Sequence, residues 1–205
     1  FAALQRAGMQ LAVPEQSLHI TKENEAYRES LHRREIERRM ADLRKLELFA
    51  GLQEEELRTI SERMVHAPFA CGDVISHQGD APHWLYLLAA GEAEVWMDFP
   101  DHSRRLFRTI HAGGTFGEKG VLTGEARRAS VIARTDVVCY RLDQATVEEV
   151  IRSRPEIAEA VAEILARREA EMDTFVRQFS NASSDHAVSQ PKAGMLAMIK
   201  NFLGL

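Results

Sequence analysis

The chain has 205 residues, 45% of them hydrophobic, and a formal net charge of −5. That is enough apolar material for one well-buried core with appendages, and the acidic balance argues against a nucleic-acid partner, which asks for a basic face. The longest apolar run, Trp84 to Ala90, is far short of the roughly 20 residues that span a bilayer, and no signal peptide is visible. A start at Phe1 rather than Met points to a piece of a longer polypeptide, so a missing membrane segment says little about the parent. Cys71 and Cys139 fall in predicted strand regions without metal-ligand spacing and read as buried, reduced thiols.

Residues 1–20 read as the closing elements of a preceding domain. Leu4 to Met9 has a helical apolar pattern, Val13-Pro14-Glu15-Gln16 marks a turn, and Ser17 to Ile20 alternates like a short strand. The stretch resembles the end of the cytosolic domain of small-conductance mechanosensitive channels; a disordered chain end is the alternative. Residues 21–47 favour a helix, with a start near Thr21 and a narrow apolar stripe from Tyr27, Leu31, Ile36, Met40, Leu43 and Leu46. Two readings stand: a linker passing motion between domains, or a solvated helix packing one face on the next domain. The Arg33-Arg34 and Arg38-Arg39 pairs, interleaved with Glu35 and Glu37, read as solvated faces.

A helix over about 53–63 follows the Phe49-Ala50-Gly51 turn. Short strands are then predicted at 65–69, 74–76, 83–90, 93–98, 104–111, 129–134 and 136–142, separated by Gly, Pro and Asp. Their regular spacing suggests a sandwich, barrel or roll. Asp143 suits the cap of a helix to about 152, and Pro155 the first turn of another to about 179, with Ile157, Val161, Ile164, Leu165, Met172 and Val176 largely on one face. Residues 180–191 read as a flexible linker. The segment 192–205 carries Met195, Met198, Ile199, Phe202 and Leu203 at helical spacing, and reads as docking on this chain itself or fraying, ahead of docking on a partner or a membrane surface. The fold class is α+β: an antiparallel, jelly-roll-like β-roll flanked by N-terminal helices and two C-terminal helices, with the roll domain at 48–179.

The most informative segment is 116–131, Phe-Gly-Glu-Lys-Gly-Val-Leu-Thr-Gly-Glu-Ala-Arg-Arg-Ala-Ser-Val. Gly117 and Gly120 let the backbone approach a ligand, and the N–H groups of a helix start favour an anion. Arg127 adds a positive fork suited to two phosphate oxygens. Glu118 is an acceptor for a sugar hydroxyl. Phosphate donors and a ribose acceptor nine residues apart describe a nucleotide pocket. This segment closely resembles the phosphate-binding cassette of cyclic-nucleotide-binding domains, and residues 43 to about 170 agree with that family, with turn glycines at Gly72-Asp73, Gly79-Asp80, Gly91 and Gly113-Gly114.

The resemblance implies cAMP as ligand, or cGMP, with no further cofactor and no metal. Arg127 would neutralise the phosphate, with help from backbone N–H groups near Gly117, Gly120 and Ala129, while Glu118 would hold the 2′-OH. Phe116, Lys119, Arg128 and Ser130 complete the cassette, Val95 offers an apolar wall for the base, and Arg167 or Arg168 would cap the purine from the helix after Pro155. Three departures from the family pattern matter: Lys119 and Gly120 replace an apolar-small pair, and Ala126 replaces a common Pro, which loosens the short helix. Arg128, where cGMP-preferring relatives often have Thr, leans towards cAMP. Arg127-Arg128-Ala129-Ser130 also reads as a basophilic kinase substrate, which its place at a strand start disfavours.

The histidines, including His66, His77, His83, His102 and His111, form no metal-binding pair, and no Ser-His-Asp or Cys-His grouping is readable, so catalysis is not expected. A DNA-binding module would need some seventy residues after the long helix, and about 26 remain beyond Phe179. With residues 1–20 as the clue, the expected partner is an N-terminal channel domain of the same polypeptide, a homo-oligomer through that channel, at the cytoplasmic face of a bacterial inner membrane.

Overall fold

A computed structural model describes residues 25–179 and 192–204, the side chains of residues 153 and 155 excepted. The expectations for residues 1–20 and 180–191 lie outside the described residues. In chain order the elements are α1 (Glu25–Arg44), a 3-10 turn (Glu47–Phe49), α2 (Glu54–Arg63), β1 (Val65–Phe69), β2 (Val74–Ser76), β3 (Trp84–Ala90), β4 (Glu92–Asp98), β5 (Arg104–His111), β6 (Thr115–Phe116), α3 (Glu118–Thr123), β7 (Ser130–Ala133), β8 (Val137–Asp143), α4 (Gln144–Ser153), α5 (Pro155–Phe179) and α6 (Lys192–Leu203).

The strands form two antiparallel four-stranded sheets, ordered β1-β8-β3-β6 and β2-β7-β4-β5. The β1-β8-β3-β6 sheet is covered on both faces, which explains why Trp84 to Ala90 is continuously apolar rather than alternating. With side chains pointing to opposite faces in turn, Leu85 and Leu87 of β3 join Tyr140 and Leu142 of β8 against the helices. Tyr86 and Leu88 join Val137 and Cys139 against the second sheet. The roll thus has one core between its sheets and another between a sheet and its helices.

Helix ends follow local chemistry. Glu56 Oε2 accepts from the Gln53 backbone N–H at 2.7 Å at the start of α2, and Asp143 Oδ1 accepts from the Thr146 N–H at 2.9 Å at the start of α4. In α1 the apolar stripe is buried only from Ile36 onwards, through Met40 and Leu43, whereas Tyr27 and Leu31 are exposed. Residues from 35 onward belong to one compact unit. Within it Arg39 is not a solvated residue as expected: its guanidinium donates to Ser61 O at 3.0 Å and Met64 O at 2.9 Å, carbonyls at the C-terminal end of α2. Arg38 and Glu35 meet the Tyr140 hydroxyl, which donates to Glu35 Oε1 at 2.6 Å.

Two further details differ from expectation, and one open reading is resolved. Cys71 lies in an exposed turn between β1 and β2 rather than in a strand, and only Cys139 is buried. The two-residue β6 pairs with β3 through Tyr86–Phe116 and Leu87–Thr115, a bridge too short to leave a periodic signal. Of the readings for the C-terminal segment, α6 packs on its own chain: Met195, Ile199 and Leu203 enter the helical core beside Val121 and Leu122 of α3. Arg152 donates to Leu203 O at 2.9 Å at its C-terminal end.

The long helix α5 is fixed at both ends. Near its start, Ile157, Ala158 and Val161 sit in the helical core. At its far end Phe175 packs on Phe107 with centroids 5.1 Å apart, and Phe179 on Phe99 at 6.2 Å, tying it to strand β5 and to the turn between β4 and β5. Among the described residues no helix is long and apolar enough to cross a membrane.

Candidate functional site

The site begins at Gly117, the residue before α3, whose φ of 83° is accessible to glycine at little cost. A Cβ there would also lie 2.4 Å from Arg127 Nη1 and 2.8 Å from Trp84 O, so the position excludes any side chain. Gly120 is needed for a different reason. Its Cβ would meet Pro82 Cβ at 2.4 Å and Glu125 O at 2.9 Å, so the glycine that loosens the helix is what lets α3 sit close to the 82 and 125 loops.

Arg127 is 9% exposed. Its Nη1 donates to Gly117 O at 2.7 Å and its Nη2 to Trp84 O, while its Nε is buried without a hydrogen-bond partner. Burial pulls its pKa below the ordinary arginine value, with Tyr86 and Asp80 acting in the opposite sense. Glu118, in the first turn of α3, is 5% exposed. Its Oε1 accepts from Thr115 Oγ1 at 3.2 Å and is paired with the guanidinium of Arg168, which reaches over from α5 and also donates to Thr115 Oγ1 at 3.1 Å. Glu118 and Arg127 are therefore not partners in a surface ion pair; they are two buried groups facing different acceptors and donors. Burial, and next the charge of Arg108, push the Arg168 pKa down.

These groups border a cleft of about 120 Å³ between the cassette, strands β4, β5 and β7, and α5. Of the residues singled out from the sequence, Val95, Phe116, Gly117, Glu118, Lys119, Gly120, Arg127, Arg128, Ala129 and Arg168 line it. Two do not. Ser130 opens β7 at 2% exposure, its Oγ accepting from the Gln78 N–H at 3.0 Å. Arg167 points away to Glu47 at 2.6 Å, so of the two arginines left open by the sequence it is Arg168 that faces the cleft.

The structure adds Ser76, Arg108, Ala126, Val131, Leu165, Glu169 and Met172 to the lining. Arg108 pairs in register with Val95 across β4 and β5, so the hairpin register was the signal that could have found it. Its pKa is lowered by burial and its Nε has no hydrogen-bond partner. Lys119 and Arg128 are spent on α5. Lys119 Nζ lies 2.7 Å from Glu169 Oε1 and 2.6 Å from Glu125 Oε2, while Arg128 pairs with Glu169 and, at 2.7 Å, with Asp173 Oδ1. No group of three or more His, Cys, Asp or Glu suited to a metal ion occurs among the described residues.

A β-roll whose cleft is floored by a glycine-bounded helical turn, walled by strands and roofed by a long helix defines a small-ligand-binding module lined by both charged and apolar side chains. Residues 67–154 match the family model described as cyclic nucleotide-binding domain. The chain is 34% identical over 104 residues to the cAMP-dependent protein kinase regulatory subunit of Dictyostelium discoideum, a match covering 51% of this chain and 32% of that protein. It is 28% identical over 159 residues to the cyclic AMP receptor protein of Thermus thermophilus, covering 77% of this chain and 71% of that one. The solved structure of the Thermus thermophilus catabolite activator protein superposes with a TM-score of 0.58 at 30% identity, over 65% of this chain and 63% of that chain. The chain thus spans about a third or less of the length of the kinase relatives it matches.

Proposed function

We propose that the cleft binds a cyclic nucleotide, cAMP in preference to cGMP, and that the domain is a non-catalytic sensor that regulates an effector joined to it. The observation that carries this reading is the convergence of a buried cation and a buried carboxylate on one cleft: Arg127 is bonded to Gly117, the residue directly before Glu118. A diester phosphate would face Arg127 and the N–H groups at the start of α3, each charge-assisted bond worth about 1.5–3 kcal/mol. The ribose 2′-OH would donate to Glu118 in place of the Arg168 and Thr115 donors it now has. Val95, Val131 and Met172 offer the base an apolar wall.

The N-terminal stretch supports a channel of the mechanosensitive superfamily as the effector, in which case the domain works at the cytoplasmic face of a bacterial inner membrane in a channel homo-oligomer. A kinase or a transcription regulator is the second reading, favoured by similarity to a kinase regulatory subunit and to the cyclic AMP receptor protein. In either setting the ligand shifts the helical elements only by its differential affinity for their arrangements. Calorimetric titration of cAMP, cGMP and 2′-deoxy-cAMP into this chain tests the reading. Micromolar or tighter binding of cAMP, weakened at least tenfold by loss of the 2′-OH, is expected; no binding of any of the three overturns it.

A further inference from the structure

The charged side chains that join the cassette to α5 are more than the surroundings of a ligand. Glu169 and Asp173 are four residues apart and so share one face of α5. That face looks onto Lys119 of α3 and Arg128 in the loop before β7. Glu169 Oε1 receives both cations, and Arg128 places its two terminal nitrogens on two different carboxylates, Glu169 and Asp173. The side chains of Arg128, Glu169 and Asp173 are 29%, 11% and 9% exposed, so these are not the solvated pairs that contribute little to stability. Lys119, Arg128 and Glu169 also line the cleft, so the contacts cross its edge.

Resting on the nucleotide reading, we propose that Lys119, Arg128, Glu169 and Asp173 form an ionic latch that holds α5 closed over the cleft and sets how long a bound nucleotide stays. In this arrangement Arg128 and Lys119 act on the ligand through the helix rather than by touching it. Arg128, at the position from which the family's base preference was read, has both arms committed to α5. It is therefore a positioning residue for the helix. Partly buried charge pairs of this kind act mainly on dissociation rather than association.

The test is a double-mutant cycle on Arg128→Gln and Asp173→Asn in this chain, with two readouts. Stopped-flow displacement of a fluorescent cAMP analogue should show each single variant releasing it about tenfold faster, the double variant no faster than the worse single, and the wild-type rate rising with salt more steeply than the double variant's. Unchanged release in both singles, or a double effect equal to the product of the singles, overturns the latch. Hydrogen exchange of residues 165–175 in the ligand-free chain is the second readout, expected to quicken in each variant while α2 is unaffected. If the wild type binds no analogue, the nucleotide reading falls, and exchange alone decides the latch: unchanged protection of α5 in the variants refutes it.

Discussion

Removing the Arg127 guanidinium tests whether this residue is a strut of the fold as well as a ligand contact. Its two terminal nitrogens join the start of β3, through Trp84 O, to the residue capping α3, through Gly117 O at 2.7 Å. Its own backbone ties the same loop to the 79–80 turn, with its N–H 3.0 Å from Asp80 O and its carbonyl 2.8 Å from the Gly79 nitrogen. Arg127→Ala leaves both carbonyls without their charged donor, a gross loss of roughly 3–6 kcal/mol at 1.5–3 per bond. Part of this is offset, because a buried guanidinium with an unpartnered Nε is itself costly. A net loss of about 2–3 kcal/mol follows, which lowers Tm by about 4–12 °C at 2–4 °C per kcal/mol. Urea unfolding of the ligand-free wild type, Arg127→Ala and Arg127→Lys measures it. The lysine variant should fall between the other two, since one ammonium cannot span two carbonyls held by a fork. A midpoint for Arg127→Ala matching the wild type would refute the strut, and the loss of ligand binding in that variant would then report the phosphate contact alone.

Three other outcomes are expected. Ile199→Ala should cost about 2–4 kcal/mol in urea unfolding, because the side chain is fully buried in the core that α6 shares with α3; a cost below about 0.5 kcal/mol would mean that α6 does not dock there. Titration with a thiol reagent at pH 7.5 should modify Cys71 alone in the native protein and Cys139 only after denaturation, since burial pushes the Cys139 thiol up to about 12; two native equivalents would contradict the fold. Asp143→Ala should cost about 1 kcal/mol at neutral pH through loss of the α4 cap. The bonds from Thr146 hold the Asp143 carboxyl below its ordinary 3.8, so its contribution is present above that value and lost as pH falls through the folded pKa. A difference between wild type and variant that persists undiminished at pH 2 would show that the cap does not act through the carboxylate.

Much of the fold was legible because its signals are local. The turn at Gly72 and the start of α3 at Gly117 need left-handed φ values that glycine meets, and α4 opens on the capping aspartate. The cassette was legible because it is contiguous: Phe116 to Ala129 lie within one stretch of chain, and all but Val121 to Glu125, the second half of α3 and the turn after it, border the cleft. Of the distant contributors, Val95 and Arg168 were legible through the family resemblance and others were not. Arg108 enters from β5 only through hairpin register, and Glu169 and Met172 enter from α5 only because the Phe175 and Phe179 contacts lay that helix across the roll. The inward turn of Arg39 was missed because a pair of arginines among glutamates looks solvated until the exposed carbonyls of α2 are in place. Cys71 was misread because it sits two residues beyond β1, at the least certain part of a strand, its end.

The charges around the cleft also bear on how a ligand arrives. The lining carries the cations Arg108, Lys119, Arg127, Arg128 and Arg168 against the anions Glu118 and Glu169, a surplus of three positive charges, in a chain whose formal net charge is −5. A mono-anion approaching from afar therefore meets a weakly repulsive body with an attractive mouth. Mobile ions damp the distant repulsion first, because its range exceeds a Debye length of about 8 Å at physiological salt, whereas the field inside a low-dielectric crevice is screened far less. The protein thus presents different faces to its ligand at long and short range, and moderate salt leaves the short-range one dominant.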